Sequence, residues 1–214
     1  MKKNQHKNTS RSTAQSNRIQ AEIAAEAGRI MAEEGVQDFR QAKLKARDRL
    51  RLGKDVPLPS NQAIQLAHDE HLTLFTPQEQ ILARRYKIMK AAAEAMEFLQ
   101  QFKPRLVADF LEHPVTRDTT IELHLETSGP EVIAHFLQQH QLPFKQTEKQ
   151  IRFGTNDAPL VPEFNFEADE NSFSLTILNT IQSRQSPRAA GMDTGQHRMS
   201  LSQVMQWLDG GLAQ

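Results

Sequence analysis

The chain contains no cysteine, which excludes a disulfide framework, a zinc–thiolate centre, an iron–sulfur cluster and a thiol nucleophile. Glycine is scarce, nine in 214 residues, and none of the spacings gives a glycine-rich phosphate loop, a Walker pattern or a serine nucleophile elbow. No apolar run approaches the ~18 residues that suggest a bilayer span. The N-terminus, rich in Lys, Asn, Gln and Ser, lacks the apolar stretch of a secretory signal. The expectation is a cytoplasmic protein with no membrane partner. Hydrophobic residues make up 38% of the chain. An ordinary globular domain holds roughly 45–50%, so part of this chain is expected to be solvated loop or tail.

What is present is charge, balanced overall and uneven along the sequence. The 26 basic and 26 acidic residues cancel, yet residues 1–54 hold 13 basic against 6 acidic residues, a net of +7, and the remainder carries −7. Two such halves attract each other or seek different partners. The plainer reading is that the basic segment pairs with acids of its own chain or forms a solvated surface.

Residues 1–17 are almost devoid of apolar side chains, so they are expected to be a disordered tail. From Arg18, the spacing of Ile19, Ile23, Ala27, Ile30 and Met31 predicts an amphipathic helix stopped at Gly35. A second helix is predicted from Asp38 to Leu52, with Phe39, Ala42, Ala46 and Leu50 on its apolar face. A third follows a cap at Ser60 or Asn61 and carries Ile64, Leu66, Ala67 and Leu72. Thr76-Pro77 with Glu79 reads as the start of a fourth, whose stripe is Leu82, Tyr86, Met89, Ala93, Met96 and Leu99, ended by Pro104.

After Pro104 the period changes. In Thr119–Thr127, Ile121, Leu123 and Leu125 alternate with Glu122, His124 and Glu126, the pattern of a strand with one buried face. A helix with Val132, Ile133, Phe136 and Leu137 follows, then strand-like stretches at Lys149–Phe153, Glu163–Ala168 and Phe173–Leu178. Residues 183–199 read as polar loop, and Ser200 caps a last helix holding Leu201, Val204, Met205 and Leu208, on which Trp207 is expected to pack. The predicted fold class is α+β, with a tail over 1–17, a helical region over 18–103 and a mixed-sheet module over 104–214.

The segment Leu106-Val107-Ala108-Asp109-Phe110-Leu111, followed by Thr119-Thr120-Ile121-Glu122-Leu123-His124-Leu125, resembles the opening of the nucleotidyltransferase fold. Members of that family place a Gly-Ser or Gly-Gly turn ahead of an Asp-x-Asp or Asp-x-Glu strand, because acids two residues apart on a strand clamp catalytic metal ions. Here Ala108-Asp109 stands at the turn, Thr120 at the first carboxylate and Glu122 at the second, while Ser174 and Thr176 occupy the strand expected to give the third. The likeness, spanning about residues 104–180, is to small bacterial nucleotidyltransferase-like proteins. It implies a mixed-sheet module, a degenerate catalytic centre in which Glu122 alone would retain a catalytic role, magnesium as the ion such a centre uses, and a nucleotide, an RNA or a protein as partner. The plainer reading makes Glu122, His124 and Glu126 the wet face of an edge or one-sided strand.

A second candidate surface lies in the helix over 38–52, where Arg40, Lys43, Arg47 and Arg51 recur along one stripe able to contact successive phosphates. Segment Ile19–Val36, ending Ala32-Glu33-Glu34-Gly35-Val36, resembles the first helix of a TetR-type repressor, although no tight turn and recognition helix follow it. The alternative function is therefore a small nucleic-acid-associated regulator. His68 and His71, one turn apart, fall short of a metal site, since two ligands do not make one. His135 and His140 flank an apolar helix stripe and read as structural, so no metal site is expected.

Overall fold

A computed structural model describes residues 5–116, 118–153, 158–189 and 195–210. The chain divides into two compact units, Met1–Pro77 and Gln78–Gln214.

The first unit consists of α1 (Gln5–Glu34), α2 (Phe39–Arg49) and α3 (Asn61–Phe75). Its helix ends follow local chemistry. Gly35 adopts φ +66 and stops α1, as the sequence predicts. The Asp38 carboxylate accepts the Gln41 N–H at 2.6 Å to cap α2, and Ser60 Oγ accepts the Ala63 N–H at 3.1 Å to cap α3. Ile23, Ala24, Ala27, Ile30, Ala42, Ala46 and Ile64 form the core, with α1 touching both other helices. The short side chains let the helices approach closely, and Gly28 marks the tightest point. A Cβ there would lie 2.6 Å from the backbone nitrogen of His68 and 2.8 Å from the carbonyl carbon of Ala67.

Two expectations for this region change. Helix α1 begins at Gln5, so residues 5–17 are helical and not a disordered tail; residues 1–4 lie outside those described. The stretch contains neither Gly nor Pro, and once Ile23, Ala27 and Ile30 anchor the helix, each further turn adds hydrogen bonds without a new nucleus. Helix α2 ends at Arg49, short of Leu52. Arg51 takes the left-handed conformation at φ 54. Its N–H reaches the Asp48 carbonyl and that of Leu52 the Arg47 carbonyl, both at 3.1 Å, completing a Schellman turn after which Leu52 packs against the core.

The second unit begins with α4 (Gln78–Phe98) and continues through β1 (Arg105–Val107), β2 (Ile121–Glu126), α5 (Pro130–Gln139), β3 (Lys145–Arg152), β4 (Leu160–Ala168) and β5 (Asn171–Leu178). Helix α6 (Thr180–Arg184), β6 (Arg188–Ala189), β7 (Arg198–Met199) and α7 (Leu201–Gly210) complete it. The sheet runs β6-β3-β4-β5-β2-β1-β7, with β2 parallel to β5 and every other pairing antiparallel. A mixed α and β architecture is thus present. The polar stretch 183–199 includes α6's last turn and both short edge strands, where Met199 pairs with Leu106 and is buried.

Leu106, Ile121, Leu123, Leu125, Phe164, Phe173, Leu175 and Ile177 form one face of the sheet and share a core with Met89, Met96, Ile133, Leu137 and Val204 from the helices. Helix α4 belongs with this sheet, so the boundary between the units falls at Pro77, whereas the sequence reading placed it after the helix. Its buried face is also turned relative to the predicted stripe. Ile81 and Ile88 are buried together with Met89, Ala93, Met96 and Leu99, while Leu82 remains 45% exposed. Both stripes share their C-terminal residues, and contact with the sheet selects the one containing the two isoleucines.

Candidate functional site

The other face of the sheet is polar at its centre. Period-two alternation sends Glu122 and His124 of β2, Ser174 and Thr176 of β5, Glu163 and Asn165 of β4, and Thr147 and Lys149 of β3 to this side. The register aligns them: Glu122 stands opposite Ser174, His124 opposite Thr176, Thr176 opposite Glu163, and Glu163 opposite Thr147.

Glu122 is the hub of this cluster. Its Oε1 lies 2.7 Å from Lys149 Nζ and 3.0 Å from His124 Nε2, and it accepts a long hydrogen bond from Thr176 Oγ1 at 3.5 Å. Lys149 Nζ also lies 3.9 Å from Glu163 Oε1. That second carboxylate accepts from Ser174 Oγ at 2.7 Å, Thr147 Oγ1 at 2.9 Å and Asn165 Nδ2 at 3.1 Å. The surroundings are enclosed for a sheet surface: His124, Ser174 and Thr176 are all buried. Burial alone would push the Glu122 carboxyl up, but the hydrogen bond from His124 and the charge of Lys149 outweigh it and hold the group at about 2. His124 Nδ1 is buried with no hydrogen-bond partner. With Nε2 given to Glu122, this nitrogen is the polar atom of the cluster that awaits a partner.

Asp109, in the turn after β1, belongs to the same neighbourhood. Its carboxylate accepts the His197 N–H at 2.8 Å, and burial together with the nearby charge of Glu122 raises its pKa.

Two-metal transfer needs several carboxylate oxygens converging on ions about 3.5–4 Å apart. Here the position between Glu122 and Glu163 is taken by the Lys149 ammonium. Among the described residues, no group of three His, Cys, Asp or Glu side chains is arranged to hold a metal ion. The magnesium that the family resemblance implies does not fit this centre. A carboxylate held near 2 is also a poor general base at neutral pH.

Thr176 meets Glu122, whereas Thr120 lies just ahead of β2 and outside the strand. The picture of Glu122 and His124 as a wet strand face is corrected, because β2 is an interior strand and His124 is only 2% exposed. Lys149, Glu163, Thr147 and Asn165 are functional candidates that the sequence reading did not single out. Their signal was the alternation of Glu163 and Asn165 with Phe164 and Phe166, and of Thr147 and Lys149 ahead of Ile151.

The basic stripe of the first unit does not hold together. Arg40 is exposed on α2, but Lys43 is half-buried and donates to Asn61 Oδ1 at 2.7 Å. The Arg47 side chain is 13% exposed, and Arg51 lies beyond the helix in the Schellman turn. The neighbouring cations pair with α1: Arg49 with Glu34 at 2.6 Å and Lys45 with Glu34 at 3.1 Å. A row of phosphates would find two separated cations in place of four. His68 and His71 also diverge, to Asp69 at 3.1 Å and Glu33 at 3.3 Å.

No protein-family model, curated protein or solved structure matches the chain. The chemistry of the site is therefore read from its geometry.

Proposed function

We propose that the second unit is a nucleotide-binding module of nucleotidyltransferase-like design that has lost transfer chemistry. The observation that supports this reading is the Lys149 ammonium held between Glu122 and Glu163, an amine standing where a transferase would place a metal. The positive charge that normally arrives with a divalent ion is built into the chain. Ligand recognition falls to the same polar face, where buried His124 orients the Glu122 carboxylate from 3.0 Å.

The test is thermal unfolding of the full chain with ATP or CTP, with and without magnesium. Either nucleotide should raise the midpoint equally in both conditions, and His124→Phe should abolish the rise while leaving the circular dichroism spectrum intact. Absence of a shift with any nucleotide, or magnesium-dependent nucleotide incorporation by the purified protein, would sink the reading.

A further inference from the structure

A cavity of about 500 Å³ lies beside β1 and the edge strand β7 of the second unit, on the same face of the sheet as Glu126. Lys103, Arg105, Arg184 and Arg198 line it, with Glu126 as the one acid and Gln196 beside them. The acid is already satisfied. Lys103 Nζ lies 2.7 Å from one oxygen of Glu126, and Ser183 Oγ donates to the other. Three guanidinium groups, those of Arg105, Arg184 and Arg198, face a shared space in which Glu126, already paired with Lys103 and close to Arg184, is the one lining carboxylate.

The arginines are placed by the fold. Arg105 stands opposite His124 across the β1–β2 pair, and Arg198 stands opposite Val107 across β1–β7. Arg198 donates to the Ser183 carbonyl at 3.1 Å and to the Gln185 carbonyl, so its guanidinium is anchored by neutral acceptors. Burial and the nearby charge of Arg105 both lower its pKa, which shows like charges held together. Such a cluster is relieved by an anion, and guanidinium forks match the oxygens of phosphate better than those of a spherical ion.

We propose that this cavity binds a compact phosphoanion of at least two phosphate groups, the polyphosphate of a nucleotide-type ligand. The inference deepens the function proposed above and rests on it for the nucleoside portion alone. Convergence on one half-open cavity, in place of a line of cations along the surface, favours a small polyphosphate over a nucleic-acid backbone. Arg105 and Arg184 are exposed, so they can turn onto the ligand.

The experiment is calorimetric titration of the full chain with pyrophosphate, ATP, adenosine and a short single-stranded RNA. Pyrophosphate should bind, weaken as salt rises, and lose about tenfold or more in affinity in R105Q/R184Q, as expected for removing two charge-assisted contacts. No pyrophosphate binding, equal affinity in the wild type and R105Q/R184Q, or RNA binding more tightly than ATP with the same dependence on both arginines would overturn the proposal. If pyrophosphate binds through these arginines but ATP binds no tighter, the phosphate site stands and the nucleotide reading fails. If His124→Phe abolishes ATP binding while R105Q/R184Q has no effect, the nucleotide reading stands and the phosphate site fails.

Discussion

The two units use the same acidic and basic residue types in opposite ways. In the helical unit, Arg29, Lys45 and Arg49 meet Glu26, Glu33 and Glu34 on the rim of an alanine-rich core, where most of the partners remain well exposed. In the sheet unit, Lys149, Glu122, His124 and Glu163 meet on an enclosed face, with Glu122 and Lys149 at 19% and 26% side-chain exposure. Water screens the first set and largely leaves the second, so similar distances correspond to different energies. The separation of an ion pair says little until its surroundings are known.

The strongest way to sharpen that contrast is Lys149→Met, which removes the ammonium and leaves an enclosed carboxylate without its cation. A loss of about 3 kcal/mol is expected, near the lower end for breaking a buried pair because some water remains. Denaturant unfolding measures it, and the double variant E122Q/K149M should recover most of the loss; no recovery would mean that the two residues act separately. The same pair sets an acid limit. Glu122 is held at about 2 against an ordinary value of 4.5, so its stabilisation is complete above pH 4.5 and fades as pH falls toward 2. An acid titration should therefore show a steeper fall in that window for the wild type than for E122Q.

The helical unit should respond most to packing. Gly28→Ala adds a methyl group 2.6 Å from the α3 backbone, and the resulting displacement should outweigh the helix propensity gained, for a net loss of about 1–2 kcal/mol. Hydrogen exchange should quicken in α1 and α3 and stay unchanged in the sheet. A smaller effect is expected for Asp109→Asn. Because the raised pKa of Asp109 reflects a charge disfavoured in the folded state, the neutral amide should stabilise the protein by at most about 0.5 kcal/mol after solvent screening. The gain should appear near neutral pH and vanish below about pH 3.8, where the native acid is protonated too. Smallest of all should be Arg49→Ala, a slight loss that added salt erases. A salt-insensitive loss comparable with that of Lys149→Met would dissolve the distinction between the units.

Local chemistry was legible before the structure. Gly35, Asp38, Ser60 and the alternation of Ile121, Leu123 and Leu125 each specify their own neighbourhood, and each behaves as its residue type requires. Glu122 could be singled out by its position on the strand, but the lysine and the second carboxylate beside it could not. Lys149 and Glu163 reach it only because β3, β4 and β5 fold back as a meander onto β2. The basic stripe failed for a related reason. Helical spacing placed Arg47 and Arg51 together, while packing buried the former and a left-handed turn carried the latter off the helix. On α4, two overlapping stripes were both consistent with the pattern, and only the sheet distinguished Ile81 from Leu82.

By itself the sequence determined the stop at Gly35 and the cap at Ser60, which residues of β2 face a core, and the exclusion of thiol, disulfide and glycine-loop chemistry. These depend on residue identity and on contacts within a few positions. Only the tertiary structure decided that a lysine lies between two glutamates and that arginines from separate strands and a short helix share one cavity. Such juxtapositions depend on strand order and register, which are selected by the free energy of the whole sheet and written in no short segment.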